Sequence, residues 1–478
     1  MSTQLKTGSI GTLGAVAMCM AFMGPATSIA FNTQPAVGGA GLNLPLSMTM
    51  ALVACLLVAN TIAGFARKMP TAGFAFTFNT RAFGPTGGML SGWFLLLGYA
   101  MVTPMLFSAI GEFTSEFIDS LTGVSIPWWI LSIAYAAVVW FINSRGIAES
   151  ARAALVFLVV EVGVLLALFV TVLGKGGAEG LTAAPFNPMA GGVGISGLGV
   201  GMLWGILYFI GFESAATLGE EAKNPRRTIP RALFAGVIIL GVFYVLACYA
   251  IVVGFGPHHI GDLAANSSPL TALGQKFWGI TWIVALTILA SQFANTVAGA
   301  SAAVRIVFAL GRDRILPAAF GRTDRRGIPQ LALACYLGFS LLLVLVLGPF
   351  IGPLGVYGFA GTMLGVVMVV VYISMNVALT RLYWRDYRSE FSVWRHGVLP
   401  VISSLVMLLP LYGQLYPAPA MPNALVPYLA LVWLAIGVIY VLALRRKDPV
   451  RLTKLAARES IAAHPEPESE RPDALDLA

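Results

Sequence analysis

LVFLVVEVGVLLALFV, residues 155–170, decides the class of fold. Apolar side chains follow one another without the alternation that a half-exposed strand or a membrane barrel requires. The run extends over 151–173, close to the roughly 20 residues a helix needs to cross the hydrocarbon of a bilayer. A helix satisfies its own backbone hydrogen bonds in that medium. One carboxylate, Glu161, interrupts the run near its middle.

Comparable runs recur on both sides of it, at 12–36, 43–64, 86–110, 126–144, 197–218, 231–255, 278–307, 330–348, 353–376, 398–415 and 426–444. With 151–173 they predict twelve spans in an all-α polytopic membrane protein. Composition agrees. Of 478 residues, 58% are hydrophobic and 10% charged, and mean hydropathy is +0.83, too little charge to keep a soluble surface wet. The segment 13–31 holds Gly24-Pro25, has no cluster of positive charge before it and is followed by many further spans, so it reads as the first span and not as a leader.

The net charge of +8 lies in short loops between apolar runs, so it reads as membrane topology and not as a nucleic-acid surface. One side receives Lys6, then Arg67, Lys68 and Arg81, then Arg145 and Arg152, then Lys223, Arg226, Arg227 and Arg231. Arg305, Arg312, Arg314, Arg322, Arg325 and Arg326 follow on that side, then Arg381, Arg385, Arg388 and Arg395, and finally Arg445, Arg446 and Lys447. The opposite side holds Lys175 and Lys276. This asymmetry predicts a bacterial inner-membrane protein with both termini cytoplasmic. Glu112, Glu116 and Asp119 near the outer end of span three form either a wet helix end or a cation-attracting vestibule. Beyond Pro449 the Ala, Pro and Glu-rich tail is expected to be disordered.

Several function classes drop out. Cys19, Cys55, Cys248 and Cys335 lie inside expected spans without paired spacing, and four His form no zinc pattern, so no disulfide framework, metal or cofactor is expected. GGVGISGLGVG, residues 191–201, leads into an apolar span without the strand a dinucleotide loop requires. There is no Gly-rich loop ending in Lys-Ser/Thr for ATP, and no nucleophile, base or metal constellation for an enzyme.

Two spans carry irregular sequence at their middles: Met23-Gly24-Pro25-Ala26-Thr27-Ser28 in span one, and Phe209-Ile210-Gly211-Phe212-Glu213 in span six. Proline removes a donor and clashes with the preceding turn, and glycine lowers the cost of leaving helical geometry. Glu213 in hydrocarbon is expensive unless paired or protonated. A simple proline kink explains span one alone. Unwinding of both spans at the midplane would free N–H groups for an anion and carbonyls for a cation, at matching places in two five-span repeats.

FIGFESAATLGEEAKNPRRTIPRAL (209–233), KMPTAGFAFTFNTRAFGPTGGMLSGW (68–93) and RIVFALGRDRILPAAFGRTDRRGIPQLAL (305–333) resemble the amino acid–polyamine–organocation transporter superfamily, in particular its bacterial amino acid permeases. The second stretch departs from that family's Pro-x-Gly-Gly-x-Tyr, having Pro70, Ala72-Gly73 and Phe76. The resemblance implies two inverted five-helix repeats with discontinuous spans one and six, plus two further spans. The expected division is 1–11, 12–173, 174–376, 377–444 and a tail, 445–478. It also implies alternating access about a site between spans one, three, six, eight and ten. By that resemblance Gly24, Ala26, Thr27 and Ser28 would take a substrate carboxylate. Phe209, Ile210 and Gly211 would turn carbonyls to its amino group, with Phe212 beside them. The family often has Gly-Ser-Gly where this chain has Gly-Pro-Ala-Thr-Ser.

Several relatives carry a Lys near the middle of span five, where this chain has Glu161. Desolvation disfavours a charged carboxylate, which makes Glu161 a candidate proton-coupling group. It could instead pair with polar groups of span one or neutralise a cationic substrate. Ser291, Gln292 and Asn295 fall near one face of span eight, as pathway residues or as links between helices. Tyr208 is a pathway candidate, and Asn376 reads as structural. Sodium in place of protons would need oxygen ligands at the contact of spans one and eight, some of which Thr27, Ser28, Ser291 and backbone carbonyls could supply. Arg226 and Arg227 could meet anionic lipid or pair with Glu220-Glu221. The expected protein is a carrier importing an amino acid or related amine, symport with protons being the first reading; an exchanger or a non-transporting sensor is the alternative.

Overall fold

The computed structural model describes residues 10–69, 74–145, 151–218, 222–312 and 315–447. The calls on Lys6, Pro70, Ala72-Gly73, Glu220-Glu221, Arg314 and the tail beyond Lys447 lie outside them.

Sixteen α-helices make up the described chain. The first expected span is two helices, α1 (Thr12–Met23) and α2 (Pro25–Ala40), followed by α3 (Leu44–Lys68). α4 (Phe74–Thr122) is divided at Gly84, whose φ of 81° and ψ of 180° interrupt the helix just before Pro85. α5 (Trp128–Ser144), α6 (Ala151–Gly174) and α7 (Gly194–Phe209) precede the single turn α8 (Ser214–Thr217). α9 (Pro225–Phe255), the short α10 (Ile260–Ala265) and α11 (Pro269–Trp278), and α12 (Trp282–Arg312) follow. α13 (Gln330–Ile351), α14 (Pro353–Asp386), α15 (Leu399–Gly413) and α16 (Val426–Lys447) complete the bundle.

Proline recurs at the first or second position of α2, α3, α9, α11, α14 and α15. A missing N–H does no harm there, and the fixed φ suits a helix start. At α9 the start is Asn224 in the left-handed region, φ 49°, followed by Pro225. That is the structural content of the Asn-Pro-Arg-Arg stretch.

Among the described residues, ten helical segments are long and apolar enough to cross a membrane, and Trp128–Ser144 is a shorter apolar helix. One of the ten, Thr12–Lys68, comprises α1, α2 and α3. Burial sorts them. The apolar window of α4 is 83% buried and that of α14 78%, against 22% for the last segment, Asn423–Arg446, which holds α16. The first two are therefore the centre of the bundle, and α16 turns Leu431, Val432 and Ile439 outward, as a lipid-facing helix would. A reciprocal pair fixes α16 to α4: Trp93 Nε1 donates to the Trp433 carbonyl at 3.0 Å, Trp433 Nε1 to the Trp93 carbonyl at 2.9 Å, with the rings stacked 4.6 Å apart.

Asn376 is a knot among three helices. It accepts from the Thr61 hydroxyl at 2.6 Å and donates to Ser403 and Ser404 at 2.9 and 3.2 Å, linking α3, α14 and α15. The structural expectation for it stands.

Candidate functional site

Two interruptions lie within the buried bundle. The first is a single residue. Gly24 takes φ 54° and ψ 70°, ends α1 by donating to the Ala21 carbonyl, and starts α2 with Pro25 next. A Cβ at Gly24 would sit 2.4 Å from Asn295 Nδ2, so α12 approaches the break closely. The second runs from Ile210 to Glu213, between α7 and α8, with Gly211 at φ 115°. A Cβ there would meet the Phe22 ring at 2.3 Å and the Phe22 carbonyl oxygen at 2.9 Å. The two interruptions therefore abut, α1 against the α7–α8 turn. Cys19 Sγ, donating to the Phe212 carbonyl at 3.3 Å, adds a second contact.

The start of a helix leaves its first N–H groups without intrahelical partners. At α2 these groups are all engaged. Gly24 N–H goes to Ala21, and Pro25 has none. Ala26 N–H donates to Glu161 Oε2 at 3.3 Å, across from α6. Thr27 N–H donates to Ser291 Oγ of α12 at 3.2 Å, and its hydroxyl to the same oxygen at 3.1 Å. Ser28 N–H returns to the Gly24 carbonyl at 2.8 Å and its hydroxyl donates to the Met23 carbonyl at 2.7 Å. Glu161 is 7% exposed and lies at the contact of α2, α6 and α12.

The second interruption holds its own carboxylate. Glu213 is 1% exposed. Its Oε2 accepts from Gly211 N–H at 3.0 Å and from the Tyr372 hydroxyl at 3.4 Å, and its Oε1 from the Tyr99 hydroxyl at 3.3 Å. The Leu207 and Phe209 carbonyls at the end of α7 accept from Ile210 and Phe212 N–H. Phe209 packs edge-on against Tyr244 at 5.4 Å, and Phe212 lies 6.0 Å from the Tyr372 ring.

The remaining candidates separate. Tyr208 and the Thr33 hydroxyl share a hydrogen bond of 2.6 Å beside α2. Ser291 and Asn295 both face the α1–α2 break. Gln292 does not; its Nε2 donates to the Leu106 carbonyl of α4 at 3.0 Å, a link between helices. Glu116 is an exposed helix end that accepts from the Ser267 hydroxyl at 3.5 Å. Sequence reasoning put no site role on Glu213, Tyr99, Tyr372 or Tyr244. A carboxylate inside an apolar run was a visible signal for the first, whereas the tyrosines look like ordinary packing until the helices are placed. Among the described residues no group of three His, Cys, Asp or Glu could hold a metal ion.

A multi-pass helical bundle with two abutting backbone breaks, each carrying a buried carboxylate, defines a polytopic membrane protein of the kind that moves solutes. The chain belongs to the amino acid permease family, whose model matches residues 10–442. It is a secondary transporter of the amino acid–polyamine–organocation superfamily acting on a small-molecule solute. It is 27% identical over 317 residues to the branched-chain amino acid permease of Lactococcus lactis subsp. cremoris, covering 62% of this chain and 66% of that protein. It is 25% identical to the low-affinity putrescine importer of Escherichia coli K12, covering 91% of this chain and 93% of that protein. A methylthioribose transporter of Bacillus subtilis is 24% identical, covering 86% and 88%.

Proposed function

We propose that the protein imports an amino acid or a related amine across the bacterial inner membrane by alternating access, coupled to protons through Glu161. The observation that carries this reading is the Glu161 carboxylate at the start of α2, bonded to Ala26 N–H and set beside Ser291. Among the described residues the buried ionisable side chains of Asp, Glu, Lys, Arg and His type are Glu161, Glu213 and His396. His396 lies elsewhere, stacked on Tyr383 before α15. A buried carboxylate without a fixed counter-cation is a natural proton carrier in a membrane protein. Because it touches both α2 and, through Ser291, α12, its proton can bias the contact between helices that must rock against one another.

The breaks at Gly24 and at Ile210–Glu213 stand at corresponding places of two five-span repeats, 12–173 and 174–376, in this reading. Thr27, Ser28, Phe209, Ile210, Gly211 and Phe212 then surround the passage, with Tyr208, Ser291 and Asn295 beside it. The relatives named above handle an amino acid, a diamine and a sugar thioether respectively by their names. Their names support a small polar organic solute and leave the cargo within that range open. Sodium is the weaker coupling ion, because Ser291 Oγ already accepts from both the N–H and the hydroxyl of Thr27.

Purified protein in proteoliposomes supplies the test. Uptake should rise with an inward proton gradient in sodium-free buffer, and Glu161→Gln should remove the gradient dependence while leaving exchange of preloaded solute. Uptake indifferent to the gradient would dismiss proton coupling and favour an exchanger.

A further inference from the structure

The polar accounting at the two breaks bears on the cargo. In broken-helix carriers the N-terminus of a half-helix takes the anionic group of the solute, because free N–H groups and the positive dipole end meet there. In this chain that place is filled from within. Ala26 N–H is on the Glu161 carboxylate, Thr27 N–H is on Ser291, and Pro25 has no N–H to give. The free amide of the other break, Gly211 N–H, is likewise on a carboxylate, Glu213. With Glu161 ionised, a solute carboxylate would have to displace one buried carboxylate while lying close to it, and like charges in close juxtaposition cost several kcal/mol.

Every side-chain polar atom left without a partner in the interior, among the described residues, can accept a hydrogen bond. They are amide carbonyl oxygens, which only accept, and hydroxyls, which accept and also donate, and no nitrogen is among them. Gln292 Oε1 is one, though its amide joins α12 to α4 and does not face the break; the Leu106 carbonyl on its Nε2 fixes which end is free. The Tyr244 hydroxyl is another. It is fully buried, makes no hydrogen bond of good geometry, and has Ser28 and the Glu161 carboxylate as polar neighbours. An ammonium group brings only donors and a positive charge, and a carboxylate brings neither.

We propose that the cargo is an amine cation that lacks a carboxylate, the protein's own Glu161 occupying the place at the α2 N-terminus that an amino acid's carboxylate would take. The inference rests on the carrier reading above and narrows it to one solute class. Charged groups facing Glu161 from the packed elements are absent among the described residues; α2 and α12 present Ala26, Thr27 and Ser291, and α9 presents Tyr244.

Matched pairs test it: lysine against cadaverine, ornithine against putrescine, and leucine against isoamylamine. Each pair differs in the carboxylate alone. Binding to the purified full-length protein is titrated by calorimetry, and uptake is measured separately in proteoliposomes. At least one amine should bind about tenfold or more tightly than its parent amino acid. Glu161→Ala should narrow or reverse that ratio, because it frees Ala26 N–H and removes the competing charge. Ser291→Ala, which frees Thr27 N–H and keeps the carboxylate, should narrow it less and serves if Glu161→Ala does not fold. A wild-type protein that prefers the amino acid of each pair, or binds no member of any, overturns the inference. Amine binding without vectorial uptake leaves the cargo class standing and removes the carrier reading.

Discussion

Gly24 and Gly211 hold the two breaks open for different reasons. Gly24 sits in the left-handed region, where a Cβ costs roughly 1–2 kcal/mol. The atoms such a Cβ would meet all belong to the Asn295 side chain, the nearest being Nδ2 at 2.4 Å on the amide end that can turn away. Gly211, at φ 115°, lies where only glycine is at ease, and its obstacle includes the Phe22 backbone carbonyl, which is fixed in α1. Gly211→Ala should therefore lower the thermal midpoint and the uptake rate more than Gly24→Ala. Equal losses would mean that the two breaks do not differ in rigidity. The glycines, and the proline after the first, were legible in the sequence as interruptions. Glu161 was legible too, as the carboxylate in an apolar run. Pairing with span one stood among its readings, but Ala26 as the partner did not, since only the packing of α2 on α6 brings that N–H within 3.3 Å.

Helix boundaries show where reading a sequence by hydropathy succeeds and where it stops. Apolar runs were found to within four residues of the helix ends at α3, α5, α6, α13 and α16, because length and apolarity are local properties. α10 and α11 were missed, being short and of mixed polarity, and so was the helical stretch before Gly84. α10 and α11 belong to a layer beyond the end of α9 whose stability has its own chemistry. Lys175 Nζ donates to the Phe277 carbonyl at 2.8 Å and Lys276 Nζ to the Gly254 carbonyl at 2.9 Å, so these two lysines serve helix ends. Glu179 accepts from His258 Nδ1 at 2.8 Å and from His258 N–H at 3.3 Å, tying the chain after α6 to the α9–α10 turn. The His258 hydrogen bond holds the Glu179 carboxyl below the usual carboxylate range. A group whose folded pKa is depressed contributes stability that is present above its unfolded pKa and lost as pH falls through its folded pKa. The wild-type protein should thus melt higher than Glu179→Gln at neutral pH. That difference should shrink on acidification and vanish once the pH is below the folded pKa of Glu179. A difference that grows toward acid would reverse the assignment.

At the scale of the whole molecule, the sidedness of every loop depends on whether α5 crosses the membrane. Ten segments are long enough by themselves, Thr12–Lys68 folds back as two passes if α1 with α2 and α3 each cross, and Trp128–Ser144 falls just short. Its 17 residues span about 25 Å at 1.5 Å per residue, against roughly 30 Å of hydrocarbon. A few ångströms of mismatch are tolerated by local thinning, and Trp128 and Trp129 at one end with Arg145 after the other are the side chains that anchor such a helix at its interfaces. If α5 crosses, there are twelve passes, both termini share a side, and the arginines gather there. If it does not, Arg145 lies on the same side as Val124, and every later basic loop changes sides relative to Arg67. Single cysteines decide between these. Cys19, Cys55 and Cys248 are buried, and Cys335 is exposed, so Cys335→Ser gives a quiet background. In right-side-out vesicles a membrane-impermeant maleimide should label Val124→Cys and spare Arg145→Cys, with the reverse in inverted vesicles. Labelling of both positions from one side would place α5 along the surface and undo the twelve-pass arrangement together with the common side of the termini.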